Sequence, residues 1–171
     1  EELPTAPAPP PFIEPPPPRS RFSVKLYTGA SLRQLYGIGF YGADFGVALG
    51  GDSNSFGIHG VVEGFVGSSA FGLLTGQLRY GVSFEGHFDR LRFGGGPMFG
   101  TMWVRRITRG NNIQDFTVGP SLHLTVDLVR FGERAFYAGA RGEIDFLLFA
   151  TSQNTGVPLM GELLLFLGVR L

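Results

Sequence analysis

A chain of 171 residues and 18.5 kDa has room for one domain of ordinary size. Its 14 basic and 14 acidic residues cancel, which excludes a general nucleic-acid binder and a polybasic membrane anchor. The absence of cysteine excludes thiolate metal sites, disulfide staples and cysteine nucleophiles together. Charged residues are only 16%, below the roughly 25% usual for a soluble domain, and 27 glycines and 17 phenylalanines stand against them.

Residues 1–20 hold nine of the twelve prolines and none of the glycines. Runs such as Pro9-Pro10-Pro11 and Pro15 to Pro18 lack the N–H that helix and sheet need, so polyproline II is the natural conformer. The expectation is a tail or linker, with docking to a protein partner through Phe12 and Ile13 as the sharper reading. Glu1-Glu2-Leu3-Pro4 has neither the basic start nor the apolar run of an export signal, which is expected to be absent from the chain as given. No apolar stretch nears the roughly 20 residues of a membrane helix.

From Arg21 onward the hydrophobic period is two. Leu74, Leu78, Tyr80, Val82 and Phe84 alternate with Thr75, Gln77, Arg79, Ser83 and Glu85. The same pattern recurs in Phe116 to Leu128, Phe136 to Phe146 and Leu159 to Leu171. Alternation over nine or more residues is strand. Eight such segments are expected, near 21–30, 38–50, 56–67, 72–86, 91–104, 116–129, 135–149 and 158–171. Tight polar connections are expected at Gly51–Ser55, His87–Arg90 and Arg130–Arg134. Mostly longer ones are expected near Ser31–Leu35, Ser68–Ala70, Arg105–Asp115 and Ala150–Val157. Eight antiparallel strands joined neighbour to neighbour close into an up-and-down barrel.

The apolar face carries large residues on all eight strands, more than a small lumen holds, so it points outward. The other face is glycine, serine, threonine and single charges, unlike a solvated surface. Strands of about 9–15 residues match the roughly 9–11 tilted residues that cross hydrocarbon. Aromatic girdles are expected from Phe22, Phe56, Phe84, Phe93, Phe116 and Phe136 at one rim. Tyr41, Phe71, Trp103 and Phe146 supply the other.

On these features residues 21–171 resemble the small eight-stranded outer-membrane barrels of Gram-negative bacteria, of the OmpX or OmpA transmembrane-domain kind. The resemblance implies an all-β transmembrane barrel in the outer membrane, with its termini and the proline-rich tail in the periplasm. It implies contact with membrane lipid and lipopolysaccharide. That family commonly ends in an aromatic residue; here Phe166-Leu167-Gly168-Val169-Arg170-Leu171 keeps the alternation and ends in leucine. No peptidoglycan-binding domain is expected after the last strand. The expected state is a monomer without cofactor or metal.

Inward positions carry Lys25, Asp44, His59, Glu63, Gln77, Arg79, Glu85, Arg92, His123, Asp127, Arg141, Glu143, Asp145, Glu162 and Arg170. Buried charges of mixed sign need partners, so a plugged, charge-paired lumen is expected. The pairs anticipated are Lys25 with Asp44, Glu63 with Arg79, and Arg141 with Glu162. His59 and His123 read as hydrogen-bonded structural histidines.

No catalytic residues are expected. One type of lipid A enzyme on this fold uses His-x-Ser facing lipid. The nearest string here, His123-Leu124-Thr125, has threonine and faces the lumen. Pro97 and Pro120 each remove a ladder hydrogen bond in mid-strand and form a candidate lateral seam. Arg105, Arg106 and Arg109 are candidate contacts for lipopolysaccharide phosphates. Gly60, Gly64 and Gly76 on the lipid face read as aids to sheet curvature, with a shallow groove as the alternative. The functional expectation is a structural or interaction role in the envelope. The alternatives are a small passive or gated channel, a lipid-modifying enzyme, and a soluble lipocalin-like carrier.

Overall fold

The computed structural model describes residues 21–106, 112–132, 134–148 and 159–171. The eight strands are β1 (Arg21–Leu35), β2 (Ile38–Asp52), β3 (Phe56–Ser69), β4 (Leu73–Phe88), β5 (Leu91–Arg106), β6 (Asn112–Phe131), β7 (Arg134–Leu147) and β8 (Leu159–Arg170). All neighbours are antiparallel and β1 pairs with β8, so the sheet closes and leaves no edge. Closure satisfies the backbone without water, which a strand in lipid requires. We call the end with Arg21, Leu171 and the turns after β2, β4 and β6 the base, and the other end the top.

Six of the eight strands are longer than the sequence suggests, β7 and β8 are slightly shorter, and two of the expected connections are largely strand. Ser31–Leu35 is the last third of β1, with β2 following after Tyr36 and Gly37 alone. Both residues have positive φ, 50° and 77°, the backbone of a two-residue primed hairpin turn. Likewise Asn112–Asp115 is strand, paired with Met102–Arg105. Polar residues at these strand ends imitate loops because they sit at the top rim or point into the lumen.

Side-chain direction follows the alternation. Leu122, Leu163, Leu165, Leu167 and many other large apolar residues are exposed outward on every strand, a belt far larger than water tolerates. Phe22, Phe56, Phe84, Phe93 and Phe136 ring the base, and Tyr41, Phe71, Trp103 and Phe146 the top. Phe116 belongs to the top rim and not, as expected, to the base: β6 begins at Asn112, so its fifth residue lies beside Thr101 near the end of β5.

Two of the three anticipated lipid-face glycines are covered. A Cβ on Gly76 would fall on the ring of Trp103, its cross-strand partner, and one on Gly64 on the ring of Phe45. The rings lie flat over glycine and shield its backbone, so of the three anticipated glycines Gly60 alone stays open.

Candidate functional site: the lumen and the rims

The lumen is filled in layers. At the top Leu35, Phe40, Met102, Val104, Leu147 and Met160 form a buried apolar plug. Beneath it lies an ionic layer with Arg79 at its centre. Arg79 contacts Glu63, lies 2.7 Å from both Glu143 and Glu162, and stands 3.6 Å from Asp44. Arg33 reaches Asp44 at 2.9 Å and Glu162 at 3.1 Å, and its guanidinium lies 3.6 Å above the Phe65 ring. Arg141 contacts Glu63 and lies 3.5 Å from Glu162. Tyr27 donates to Glu63 at 2.6 Å. Every charged member of this layer is buried.

A waist of Tyr137, Leu164 and Phe166, with Ala48, Val61 and Met98 nearby, lies between this layer and the base. The second ionic layer holds Lys25, His59, Glu85, His123, Asp52, His87 and Arg92. Lys25 Nζ donates to Glu85 Oε2 at 2.5 Å, His123 Nε2 lies 3.3 Å from Glu85 Oε1, and Arg92 donates to Asp52 at 3.2 Å. Nearer the rim, Arg170 and Arg130 both donate to Asp127 at 2.8 Å. A cavity of about 50 Å³, with room for a few waters, remains beside the waist, lined by Lys25, Glu85, Ser121, His123 and Tyr137.

The anticipated charges therefore lie inside, and two of the three anticipated pairs meet. Lys25 and Asp44 do not. Lys25 stands opposite Ala48 and Asp44 opposite Gly29, four residues apart along the ladder, so they enter different layers. Asp44 takes Arg33 instead. Arg33 is missing from the sequence reading because its polar flanks suggested a loop; a run of Ser31, Arg33 and Leu35 on one face was the available signal. The waist also went unread, because Leu163-Leu164-Leu165-Phe166-Leu167 is apolar throughout and hides which residues turn inward.

Pro97 and Pro120 lie directly opposite each other on β5 and β6. Neither has an N–H, so theirs is a non-hydrogen-bonded pair whose polar groups point away from each other, toward β4 and β7. Both outer ladders skip there: pairing runs from Gly81↔Met98 to Phe84↔Gly95, and from Val118↔Phe146 to Ser121↔Glu143. The register holds across each gap, setting Val82 against Pro97 and Ile144 against Pro120. A Cβ on Gly96 would strike the Val82 carbonyl oxygen, and one on Gly119 that of Ile144. The hydrogen each Cβ would replace points at a carbonyl that proline leaves without a donor, a weak Cα–H···O contact.

Arg105 is exposed at the top end of β5, opposite Asn112. The side chain of Arg106, all of Arg109, and residues 1–20 lie outside the described residues.

No family model and no curated protein matches the chain. Solved structures do. Neisserial surface protein A is 15% identical with a TM-score of 0.57, covering 90% of this chain and 98% of that one. The N-terminal β-barrel domain of Pseudomonas aeruginosa OprF is 11% identical with a TM-score of 0.53, covering 90% and 100%. Ail, the attachment invasion locus protein of Yersinia pestis, was solved with the heparin analogue sucrose octasulfate. It is 14% identical with a TM-score of 0.50, covering 88% and 97%. Coverage of nearly the whole of each gives this chain the fold of the small eight-stranded outer-membrane barrels.

Proposed function

We propose that this chain is an outer-membrane barrel with a sealed lumen, serving a structural or interaction role in the envelope as a monomer. The observation that carries the reading is the filled interior. Among the described residues an apolar plug, two ionic layers and an aromatic waist fill the lumen, so the working surfaces are the rims and the outer belt. In this reading the base faces the periplasm and residues 1–20 extend from it toward a protein partner. Arg105, Arg106 and Arg109 at the top meet lipopolysaccharide phosphates, for which guanidinium forks are well suited. His123 supports a non-enzymatic reading, since it faces the lumen and spends its Nε2 on Glu85.

The test is refolding from urea into lipid vesicles, followed by gels of boiled and unboiled samples and recording in planar bilayers. A fast-migrating unboiled band with no steady conductance is expected. A steady conductance altered by Glu63→Gln would make the protein a channel, and refolding in plain buffer would make it a soluble carrier.

A further inference from the structure

Strands β1, β5, β6 and β8 each send an arginine to a mouth cavity of about 270 Å³ at the base: Arg21, Arg92, Arg130 and Arg170. Arg92 and Arg170 are largely buried and form its floor, while Arg21 and Arg130 are exposed at its lip. Like charges gathered from four strands repel unless acceptors offset them.

Among the described residues the carboxylates there are fewer than the guanidinia. Asp127, beneath the floor, serves two of them: Arg170 donates to its oxygens at 3.2 and 2.8 Å, and Arg130 Nε donates to Oδ2 at 2.8 Å. Asp52 accepts from Arg92 at 3.2 Å and is shared with His59 at 3.3 Å and His87 at 3.4 Å. Asp89 meets Arg130 at 3.4 Å, but its side chain is 78% exposed, so water screens it. Two donors on the cavity wall are also unspent. Ser23 Oγ and Arg92 Nε are buried without a hydrogen-bond partner, and a buried donor left so is costly. Both features call for an acceptor, and for one that carries negative charge.

We infer that this mouth is a binding site for a phosphate group. Several acceptor oxygens on one centre match guanidinium forks that converge from different strands, where a carboxylate has only two to offer. The cavity opens on two sides. Asn54, Asp89 and Gly132 of the base turns border it toward water. Phe22, 75% exposed on the lipid face, and Leu171 border it toward the belt. The phosphate therefore has two sources, free phosphate from solution or the headgroup of a phospholipid whose chains lie along Phe22. Only the second source rests on the outer-membrane reading.

Two probes separate the sources, with heat-dependent gel mobility certifying each variant of the full chain. Sodium phosphate is titrated calorimetrically into the barrel refolded in a non-ionic detergent. The urea midpoint is measured in phosphatidylcholine vesicles with and without phosphatidylglycerol. Free phosphate as the source gives one phosphate bound per barrel, and a headgroup gives a midpoint raised by phosphatidylglycerol, because a ligand of the folded state stabilises it. Arg130→Gln should weaken phosphate binding about tenfold, the loss of one charge-assisted hydrogen bond, and remove the lipid effect. Asp89→Asn should strengthen both, because it releases Arg130 while asparagine keeps the left-handed backbone at φ 52°. Arg134→Gln, exposed at the base but outside the cavity, should change neither. Should Arg130→Gln fail to fold, Asp89→Asn and Arg134→Gln still decide. A response to neither probe overturns the inference. So does one that survives Arg130→Gln, that Asp89→Asn weakens, or that Arg134→Gln weakens equally.

Discussion

Arg79 shows how single residues are committed in this lumen. It is fully buried among Glu63, Glu143, Glu162, Asp44 and Asp145, and among the described residues only Arg33 and Arg141 share the load of those five carboxylates. Removing one partner of a buried ionic group leaves uncompensated charge and costs about 3–5 kcal/mol. Arg79→Ala should therefore unfold at markedly lower urea in vesicles. A loss below about 1 kcal/mol, the range of exposed pairs, would mean that water screens this layer. The type and direction of Arg79 and Glu63 were legible from alternation, and their pairing followed because they stand directly opposite in β3 and β4. Lys25 and Glu85 were legible singly but not as a pair, since they come from strands that are not neighbours and meet across the lumen.

At the scale of elements, β5 and β6 form a well-paired ribbon with a gap in the ladder on each outer side. Restoring a donor at the gap should strengthen it. Pro97→Val gives the Val82 carbonyl an N–H partner and should stabilise the barrel by about 0.5–1.5 kcal/mol, the net worth of one hydrogen bond. Slower amide exchange in β4 around Val82 should accompany it, and unchanged exchange would show that the carbonyl was already satisfied. Gly96→Val acts oppositely, because its Cβ meets that same oxygen and must push β4 and β5 apart. Slower refolding and a lower urea midpoint are expected. The sequence marked both prolines as ladder breakers; only the register showed that they face each other and that their missing bonds point to β4 and β7.

For the whole molecule, closure and belt carry the stability, and the sheet closes between β1 and β8, within residues 21–171. A chain lacking residues 1–20 should insert with unchanged heat-dependent mobility and urea midpoint, losing only what a periplasmic partner adds. Failure of that shortened chain to fold would make the tail part of the barrel. The top plug supplies a second whole-molecule expectation. Met102→Ala and Met160→Ala together should lower stability by a few kcal/mol, as buried large-to-small changes do, yet leave the lumen sealed by the ionic layers. A steady current through that double variant would place the seal in the plug.

The sequence by itself determined the number of strands, their antiparallel order, which face meets lipid and which charges within the alternating segments turn inward. All four follow from a period of two, which is local and survives in the order of residues. Tertiary structure decided which charges meet, because a barrel brings β1 to β4 and β4 to β8 across a lumen that no local pattern records. It also decided where β1 ends, since a buried Arg33 depends on Asp44 and Glu162 being there to receive it.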